Sequence, residues 1–505
     1  MDDAKDKILN SQLDELEKHV KFSLETGEGE SALKVCLEVY RQMPGNFRVI
    51  KLIAQVYLET GRIEKACKTY LGLTRDVPDD PDVYKGLARS LSSSKRNKIS
   101  SKLDAYADRI RQANGKASNP IALSDYRSHH LIWSEDFRCT AEGEINGLRP
   151  PLLLATEVWG EKYLNILMKF HIPSLLLDGN LPLVVSERPR SSYHISLPVA
   201  DYLRLKAEPI FGRLCSVIDV RLDVIKHPTP GHDKYSALIP HQEAKLRRAS
   251  RDGFYYCSIS PDGFIGNGSL KSAITQLEEA NKKAFMVFAP RLSLEQFSYY
   301  TRECDGEGFA SLFSNRRKLV ELVLASIHPG DRSLDVTSIA HSEWTWAVTW
   351  KIQGQGLLAR VFHLHPVIMH PALLKCFDGI AITLDNELVP KLAGGLEDLL
   401  ISTDSDDFLY ASLAEENDSG VIFPERRWFH RDRVMAWLNR FGSPYNLAVF
   451  GESIKFHNTE LDPELWFDAE SAAVDLERWL NSANDFDHTW TAHKAADASN
   501  QAIKD

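Results

Sequence analysis

Two histidines near the middle of the chain have the spacing of a binding pair. His363 and His365 alternate along a predicted strand, so both are expected on one side of it, and His370 follows shortly after. Neutral imidazoles at this spacing can bind a metal, and protonated ones can grip a phosphate. The pair therefore predicts a metal or phosphate site.

Carboxylates follow several apolar runs. Asp262 comes after Phe254–Ile259, Asp385 ends one such run, and Asp404 and Asp406 come after another. A carboxylate at the end of a parallel strand can hold a divalent metal that neutralises a diphosphate. Asp404 or Asp385 could instead be the base that deprotonates an acceptor hydroxyl. Each of these residues could equally be a surface carboxylate that caps a turn.

These residues need a sheet to position them. From about residue 126, β-rich runs alternate with amphipathic helices, which predicts strand–helix units and a largely parallel sheet. A predicted strand over Pro173–Leu177 precedes the turn Asp178-Gly179-Asn180. A predicted helix, Asp233–Ala249, precedes the strand that leads to Asp262.

The first hundred residues contain a repeat. Three residues recur 34 positions later: Gly27, Ala32 and Pro44 return as Gly61, Ala66 and Pro78. The glycine opens a turn between two helices, the alanine lets them approach closely, and the proline ends the second helix. This period and pattern resemble the tetratricopeptide family over residues about 13–95. The resemblance implies a groove for a partner chain; the alternatives are packing on the chain's own second domain, or dimerisation.

The segment from Lys234 to Ala289 is similar to part of a nucleotide-sugar glycosyltransferase of the GT-A kind. In that fold a helix with basic residues precedes a strand that ends in a short acidic motif, and another helix follows. The resemblance implies that Asp262 contacts a metal or the ribose, and that Lys234 or His241 faces the nucleotide. The usual motif has two aspartates one residue apart; Ser260 replaces the first, which leaves metal dependence open.

The same resemblance extends to other candidate residues. A late histidine completes the metal site in many GT-A enzymes, so Asp262, His363 and His365 become the expected ligands of Mn²⁺ or Mg²⁺. Asp178 and Asn180 would meet the base or ribose of the nucleotide sugar, although Asp-Gly-Asn is also an ordinary turn sequence.

The leading hypothesis is a cytoplasmic, bacterial-type glycosyltransferase. It would move a sugar from a nucleotide-sugar donor to a glycan, or to a protein held by the repeats. One alternative is a non-catalytic repeat adaptor with a degenerate α/β domain. The absence of the first aspartate of the motif, at Ser260, favours it. The other is a metal-dependent hydrolase built on His363, His365 and Asp404.

Composition limits the partners and the cellular compartment that can be expected. The net charge of -10 over 505 residues argues against nucleic-acid binding. A charged start without an apolar core predicts no secretory signal, and no apolar run is long enough for a membrane span, which leaves peripheral membrane association open. Seven scattered cysteines fit a reducing compartment.

The expected fold class is α/β, with N-terminal helical tetratricopeptide repeats followed by a GT-A-like mixed sheet flanked by helices. The expected domains are repeats at 1–95, a helical linker at 96–125, the α/β domain at 126–480 and a disordered tail at 481–505.

Overall fold

A computed structural model describes most of the chain. The described residues are 2–93, 96–114, 130–139, 149–228, 234–302, 304, 306–342, 344–377, 379, 384, 388–393, 395–418 and 428–483. Almost all of the predicted tail, 481–505, lies outside them.

By its internal contacts the chain divides into two units. The first comprises Met1–Glu135, Ser196–Arg204 and Leu222–Pro240, and the second Asp136–Ile195, Leu205–Arg221 and His241–Asp505.

The first unit begins with consecutive helices. Their bounds are Asp2–Glu25 (α1), Gly29–Gln42 (α2), Phe47–Glu59 (α3), Ile63–Asp76 (α4), Pro81–Ser93 (α5) and Asn97–Asn114 (α6). Gly27 and Gly61 adopt positive φ in the turns that follow α1 and α3, where a side chain would be strained. Ala32 and Ala66 are fully buried. The helical repeats predicted from the 34-residue period are confirmed.

Helix α6 packs along α5. The Tyr106 ring meets the Tyr84 ring edge-on at 4.8 Å, and Arg111 pairs with Asp82 at 2.5 Å. The helix that the sequence assigned to a linker therefore continues the helical array. The division into domains remains a prediction.

The remaining elements form mixed sheets flanked by helices. The strands are Leu131–Phe137 (β1), Leu152–Glu157 (β2), Ser192–Pro198 (β3), Asp219–Ile225 (β4), Tyr255–Ser258 (β5), Gly263–Ile265 (β6), Ala284–Val287 (β7), Arg291–Ser293 (β8), Ala347–Ile352 (β9), Gly356–Val361 (β10), His365–Met369 (β11), Leu399–Ile401 (β12), Tyr410–Ala414 (β13) and Ile454–His457 (β14). The helices are Glu161–Ile166 (α7), Ile172–Leu175 (α8), Leu181–Glu187 (α9), Val199–Ala207 (α10), Pro209–Val217 (α11), Lys234–Asp252 (α12), Ser269–Glu279 (α13), Leu294–Tyr300 (α14), Gly306–Ser314 (α15), Arg316–Ala325 (α16), Pro329–Arg332 (α17), Pro371–Leu374 (α18), Val389–Leu392 (α19), Arg431–Phe441 (α20), Pro444–Phe450 (α21) and Pro463–Ala483 (α22).

Within the second unit, five strands are neighbours in the order β2-β5-β11-β7-β12. Strand β2 pairs with β5 in parallel, with Leu152 opposite Tyr255, and β12 pairs with β7 in parallel. Strand β11 is antiparallel to both of its neighbours, β5 and β7. Two smaller sheets have the orders β14-β10-β9 and β6-β13-β8.

Two strand predictions are wrong. Pro173–Leu177 falls on helix α8 and the turn after it, since the helical path begun at α7 continues through a π-helical turn at Leu167–His171. An apolar run this short has no periodicity that separates a strand from a buried helix. His363 lies in the connection between β10 and β11, and only His365 belongs to a strand.

No helix in the described part of the chain combines the length and apolarity that crossing a membrane requires.

Candidate functional site

Four predicted or potential site residues lie at one edge of the five-stranded sheet. Strands β2, β5, β7 and β12 run in the same direction, because β11 is antiparallel to both β5 and β7. Their carboxyl ends therefore share an edge with the start of β11. Glu157 ends β2, Asp262 and Asp404 follow β5 and β12, and His365 begins β11. We call this the carboxyl edge; ligands of α/β proteins bind at such edges.

His365 and Asp262 are linked through the end of β5. The Nε2 atom of His365 lies 3.1 Å from the Ser258 carbonyl oxygen, and its ring lies 5.9 Å from the Tyr410 ring. The Tyr410 hydroxyl accepts a hydrogen bond from the Ser260 amide at 3.3 Å. Burial, with the charge of Asp262 as a smaller cause, raises the pKa of Tyr410. The structure thus gathers these residues around Tyr410, which the sequence did not single out.

A buried polar chain supports this strand end. His171 Nδ1 lies 2.8 Å from the Gly263 carbonyl oxygen, which can only accept, so that nitrogen carries a proton. His171 Nε2 accepts from the Tyr193 hydroxyl at 2.8 Å, and Thr156 Oγ1 lies 2.9 Å from the same hydroxyl. Burial lowers the pKa of His171 to about 4. The neutral imidazole therefore helps to fix the backbone next to Asp262.

A buried ion pair lies at the end of β2. Lys245 Nζ donates to Glu157 Oε1 at 2.5 Å and to the Thr156 carbonyl oxygen at 3.2 Å. The two side chains are 3% and 4% exposed. His241 is also buried and lies one turn earlier on α12. The structure describes Lys234 as the first residue of α12, and its side chain lies outside the described part.

The turn at Asp178-Gly179-Asn180 contacts the turn after β6. Asn180 is fully buried, and its side chain donates to the Ser174 and Gly266 carbonyl oxygens at 2.8 and 3.0 Å. Its Oδ1 atom accepts from the Leu270 amide at 3.1 Å. Asp178 is exposed. Because the Asn180 amide is engaged with backbone groups, it holds the two turns together.

Asp404 and Asp406, which the sequence analysis considered, lie beside His457, which it did not. Single ligand atoms of Asp404, Asp406 and His457 all lie within 4.8 Å of one another. His457 Nε2 lies 2.8 Å from Asp404 Oδ1 and 3.9 Å from Asp406 Oδ2. We call these three residues the Asp–Asp–His trio.

The second ring nitrogen of His457 fixes the chemistry of the trio. Nδ1 lies 2.6 Å from the Thr459 carbonyl oxygen, so Nδ1 carries a proton. In a neutral ring, Nε2 would then present its lone pair to a carboxylate, which is repulsive unless a proton or a cation lies between them. Histidines that bind metals have this outer hydrogen bond. The 2% exposed imidazole is therefore suited to a proton or a divalent metal.

Arg317 flanks the trio. It donates to Asp406 at 2.8 Å and to Glu460 at 2.6 Å. The hydrogen bond from its guanidinium lowers the pKa of both carboxyls, so Asp406 stays ionised. Burial and the charge of Asp404 raise the pKa of Asp407.

The metal ligands expected from the sequence do not come together as the trio does. Within the described residues, Asp262, His363 and His365 do not form a three-ligand group of the trio's kind. His363 Nδ1 lies 3.2 Å from the Asn446 side chain, and its ring meets Trp437 edge-on. Asp385 lies outside the described residues. His457 was missed because it is 53 residues beyond Asp404, and pairing across that distance leaves no local signal.

Comparisons with known proteins agree with the helical repeats. A tetratricopeptide repeat model matches residues 23–90. The comparison with curated proteins found no match.

Two solved structures share weak similarity. A mutant of Thermobaculum terrenum O-GlcNAc transferase is 14% identical, covers 48% of this chain and 45% of its own, and has a TM-score of 0.19. S. aureus TarS is 10% identical, covers 65% of this chain and 43% of its own, and has a TM-score of 0.26. The chain spans less than half the length of either, and similarity this low carries no argument about function.

Proposed function

We propose that this protein is a glycosyltransferase that moves a sugar from a nucleotide-sugar donor to a glycan or protein acceptor. The observation that carries the proposal is the carboxyl edge itself. There, the His365 ring lies beside Tyr410, whose pKa the charge of Asp262 helps to raise, and Asp404 and Asp406 of the trio follow the parallel strand β12. Carboxylates at the ends of parallel strands, with an imidazole at the start of the antiparallel strand between them, suit a diphosphate ligand that binds together with a cation.

The donor would lie along the end of β5. The Asp262 carboxylate is proposed to accept from the ribose. Protonated His365, whose Nε2 faces the Ser258 carbonyl oxygen, is proposed to donate to the diphosphate through Nδ1. The buried Lys245–Glu157 pair and the His171 chain would keep this edge rigid. Preorganised groups contribute most when they do not have to move during the reaction.

The trio fits a divalent cation better than the predicted set of Asp262, His363 and His365. Asp404, Asp406 and His457 would hold Mn²⁺ or Mg²⁺, and Arg317 keeps Asp406 ionised. Such a metal supplies positive charge that stabilises a departing diphosphate. This role competes with Asp404 as the general base, because Asp404 Oδ1 already faces His457 and the Asp406 amide.

Thermal unfolding with UDP-sugars and GDP-sugars, with and without Mn²⁺, tests the proposal. A ligand at about 100 times its Kd adds about 2.7 kcal/mol to the folded state. We expect one donor to stabilise the protein, more strongly with Mn²⁺, and Asp404→Asn to remove the Mn²⁺-dependent part. Absence of a shift with every donor would refute donor binding.

A second candidate is a non-catalytic repeat adaptor. Ser260 at the position of the first aspartate and the repeat match at 23–90 favour it. An adaptor would bind a partner chain through the helical array, yet show no donor-dependent stabilisation.

The metal-dependent hydrolase is the third reading. The trio favours metal chemistry in general, although it contains Asp404 and not the two predicted histidines. A hydrolase would retain metal through purification and would cleave its substrate without an acceptor.

The seven cysteines are free thiols, which fits the proposed cytoplasmic location.

A further inference from the structure

A cavity in the second unit has no role in the proposed donor site. It has a volume of about 580 Å³, within the usual range for small-molecule pockets. Phe288 and Pro290, which follow β7, form one wall, and the β9–β10 hairpin forms another. We call it the hairpin cavity.

The walls are mainly aliphatic. The apolar lining includes Leu324, Ile327, Leu334, Ile352 and Leu357, with Phe288 as its aromatic member. A flat nucleobase would be better matched by facing aromatic rings and by paired donors and acceptors. These walls suit a flexible alkyl chain, whose burial is favourable in proportion to its apolar area.

One polar atom in the lining lacks a partner. Asn458 Oδ1 is buried and accepts no hydrogen bond from the described residues. A buried acceptor left without a donor is costly. Asn458 therefore points to a ligand that brings an O–H or N–H group into the cavity.

The lining carboxylates are already engaged. Asp331 accepts from the Arg291 amide and guanidinium at 2.8 and 3.0 Å. Asp335 accepts from the Thr337 and Lys351 amides at 2.8 and 2.9 Å. These groups do not require a cation from the ligand.

Two exposed cations belong to the lining. Arg332 donates to the Ile327 carbonyl oxygen at 3.0 Å, and Lys351 is exposed on β9. Across the part of the chain that the structure describes, neither side chain forms an ion pair. Both are therefore available to an anionic group on the ligand.

From these three features we infer that the hairpin cavity binds a hydroxylated acyl anion: an alkyl chain with a carboxylate and a nearby hydroxyl. The alkyl chain lies against the aliphatic walls, the hydroxyl donates to Asn458 Oδ1, and the carboxylate meets Arg332 and Lys351. This inference does not depend on the proposed glycosyl transfer.

Isothermal titration with 3-hydroxydodecanoate, below its micelle concentration, tests the inference on the full chain. Dodecanoate lacks the hydroxyl, and the methyl ester of 3-hydroxydodecanoate lacks the charge. We expect 3-hydroxydodecanoate to bind about tenfold more tightly than dodecanoate, the effect of one buried hydrogen bond. Its methyl ester should bind several-fold more weakly, because exposed cations contribute less.

Matched variants locate the binding. Asn458→Leu should remove the preference for the hydroxyl and leave dodecanoate binding unchanged. Ala325→Trp, at the exposed end of α16 beside the cavity, should block all three probes. Ala472→Trp, on an exposed position of α22 outside the lining, is the control and should bind as the wild type does. Circular dichroism checks that each variant is folded.

Three results would overturn the inference. They are the absence of 3-hydroxydodecanoate binding to the wild type, equal affinity for the probes with and without the hydroxyl, and unchanged binding in a folded Ala325→Trp protein.

Discussion

Removing one partner of the buried Lys245–Glu157 pair should destabilise the second unit strongly. Lys245→Met leaves the Glu157 carboxylate without a cation in a site that is 4% exposed, with the Thr156 carbonyl oxygen beside it. Breaking a buried ion pair in this way costs about 3–5 kcal/mol, because the remaining charge has lost both its solvent and its partner.

A double variant measures the interaction energy between Lys245 and Glu157 apart from their other contacts. Glu157→Gln alone strands the Lys245 ammonium, and we expect a similar loss of unfolding free energy. Glu157→Gln combined with Lys245→Met should cost much less than the sum of the two, because no buried charge remains. A coupling of several kcal/mol is expected for groups in direct contact.

Urea unfolding followed by tryptophan fluorescence measures these changes. Of the ten tryptophans, only Trp133 falls in the ranges of the first unit, so fluorescence reports mainly on the second. Arg247→Met is the matched control, since Arg247 on the same helix is 47% exposed in its pair with Glu243 and should cost under about 1 kcal/mol. A Lys245→Met protein that, at an unchanged m-value, loses no more unfolding free energy than Arg247→Met would contradict a strong buried pair.

Three further predictions concern other groups. Burial lowers the pKa of His171 from 6.5 to about 4, so between these values the unfolded chain binds more protons than the folded one. The free energy of unfolding should therefore fall by about 3 kcal/mol as pH drops from above 6.5 to below 4, and a His171→Gln protein should lose less over the same range in urea titrations. Ala66→Leu should destabilise the helical array by about 1–3 kcal/mol through overpacking, as judged by helical circular dichroism, whereas exposed Lys68→Leu should change little; equal effects would contradict the close helix approach. His457→Ala should weaken Mn²⁺ binding at least about tenfold by isothermal titration, and unchanged affinity would leave the trio without a metal role.

Part of this structure could be predicted from local sequence. The repeats were readable because Gly27, Ala32 and Pro44 recur at a fixed period and each acts within one helical hairpin. The strand leading to Asp262 could be predicted because all of its residues are buried, so that it appears in the sequence as a continuous apolar run. These signals depend on neighbours along the chain.

The rest depended on pairings between distant segments. His457 joins Asp404 because β14 runs beside the loop after β12, where Asp404 and Lys455 form a bridge. His363 and His365 do not share a strand face because β10 ends before His363. The Asn446 side chain of α21 lies within hydrogen-bond distance of His363 instead. Alternation along a short segment carries no information about where the strand ends.

Donor binding by a His365→Ala protein tests the proposed donor site at the carboxyl edge. His365 contacts the Ser258 carbonyl oxygen at the carboxyl edge, whereas His363 packs against Trp437, so His363→Ala is the matched control. Isothermal titration with the donor that stabilises the wild type, beside circular dichroism, compares the two. We expect that folded His365→Ala no longer binds the donor and that His363→Ala does. Unchanged donor affinity in a folded His365→Ala protein would contradict the proposed donor site and leave this histidine with a structural role alone.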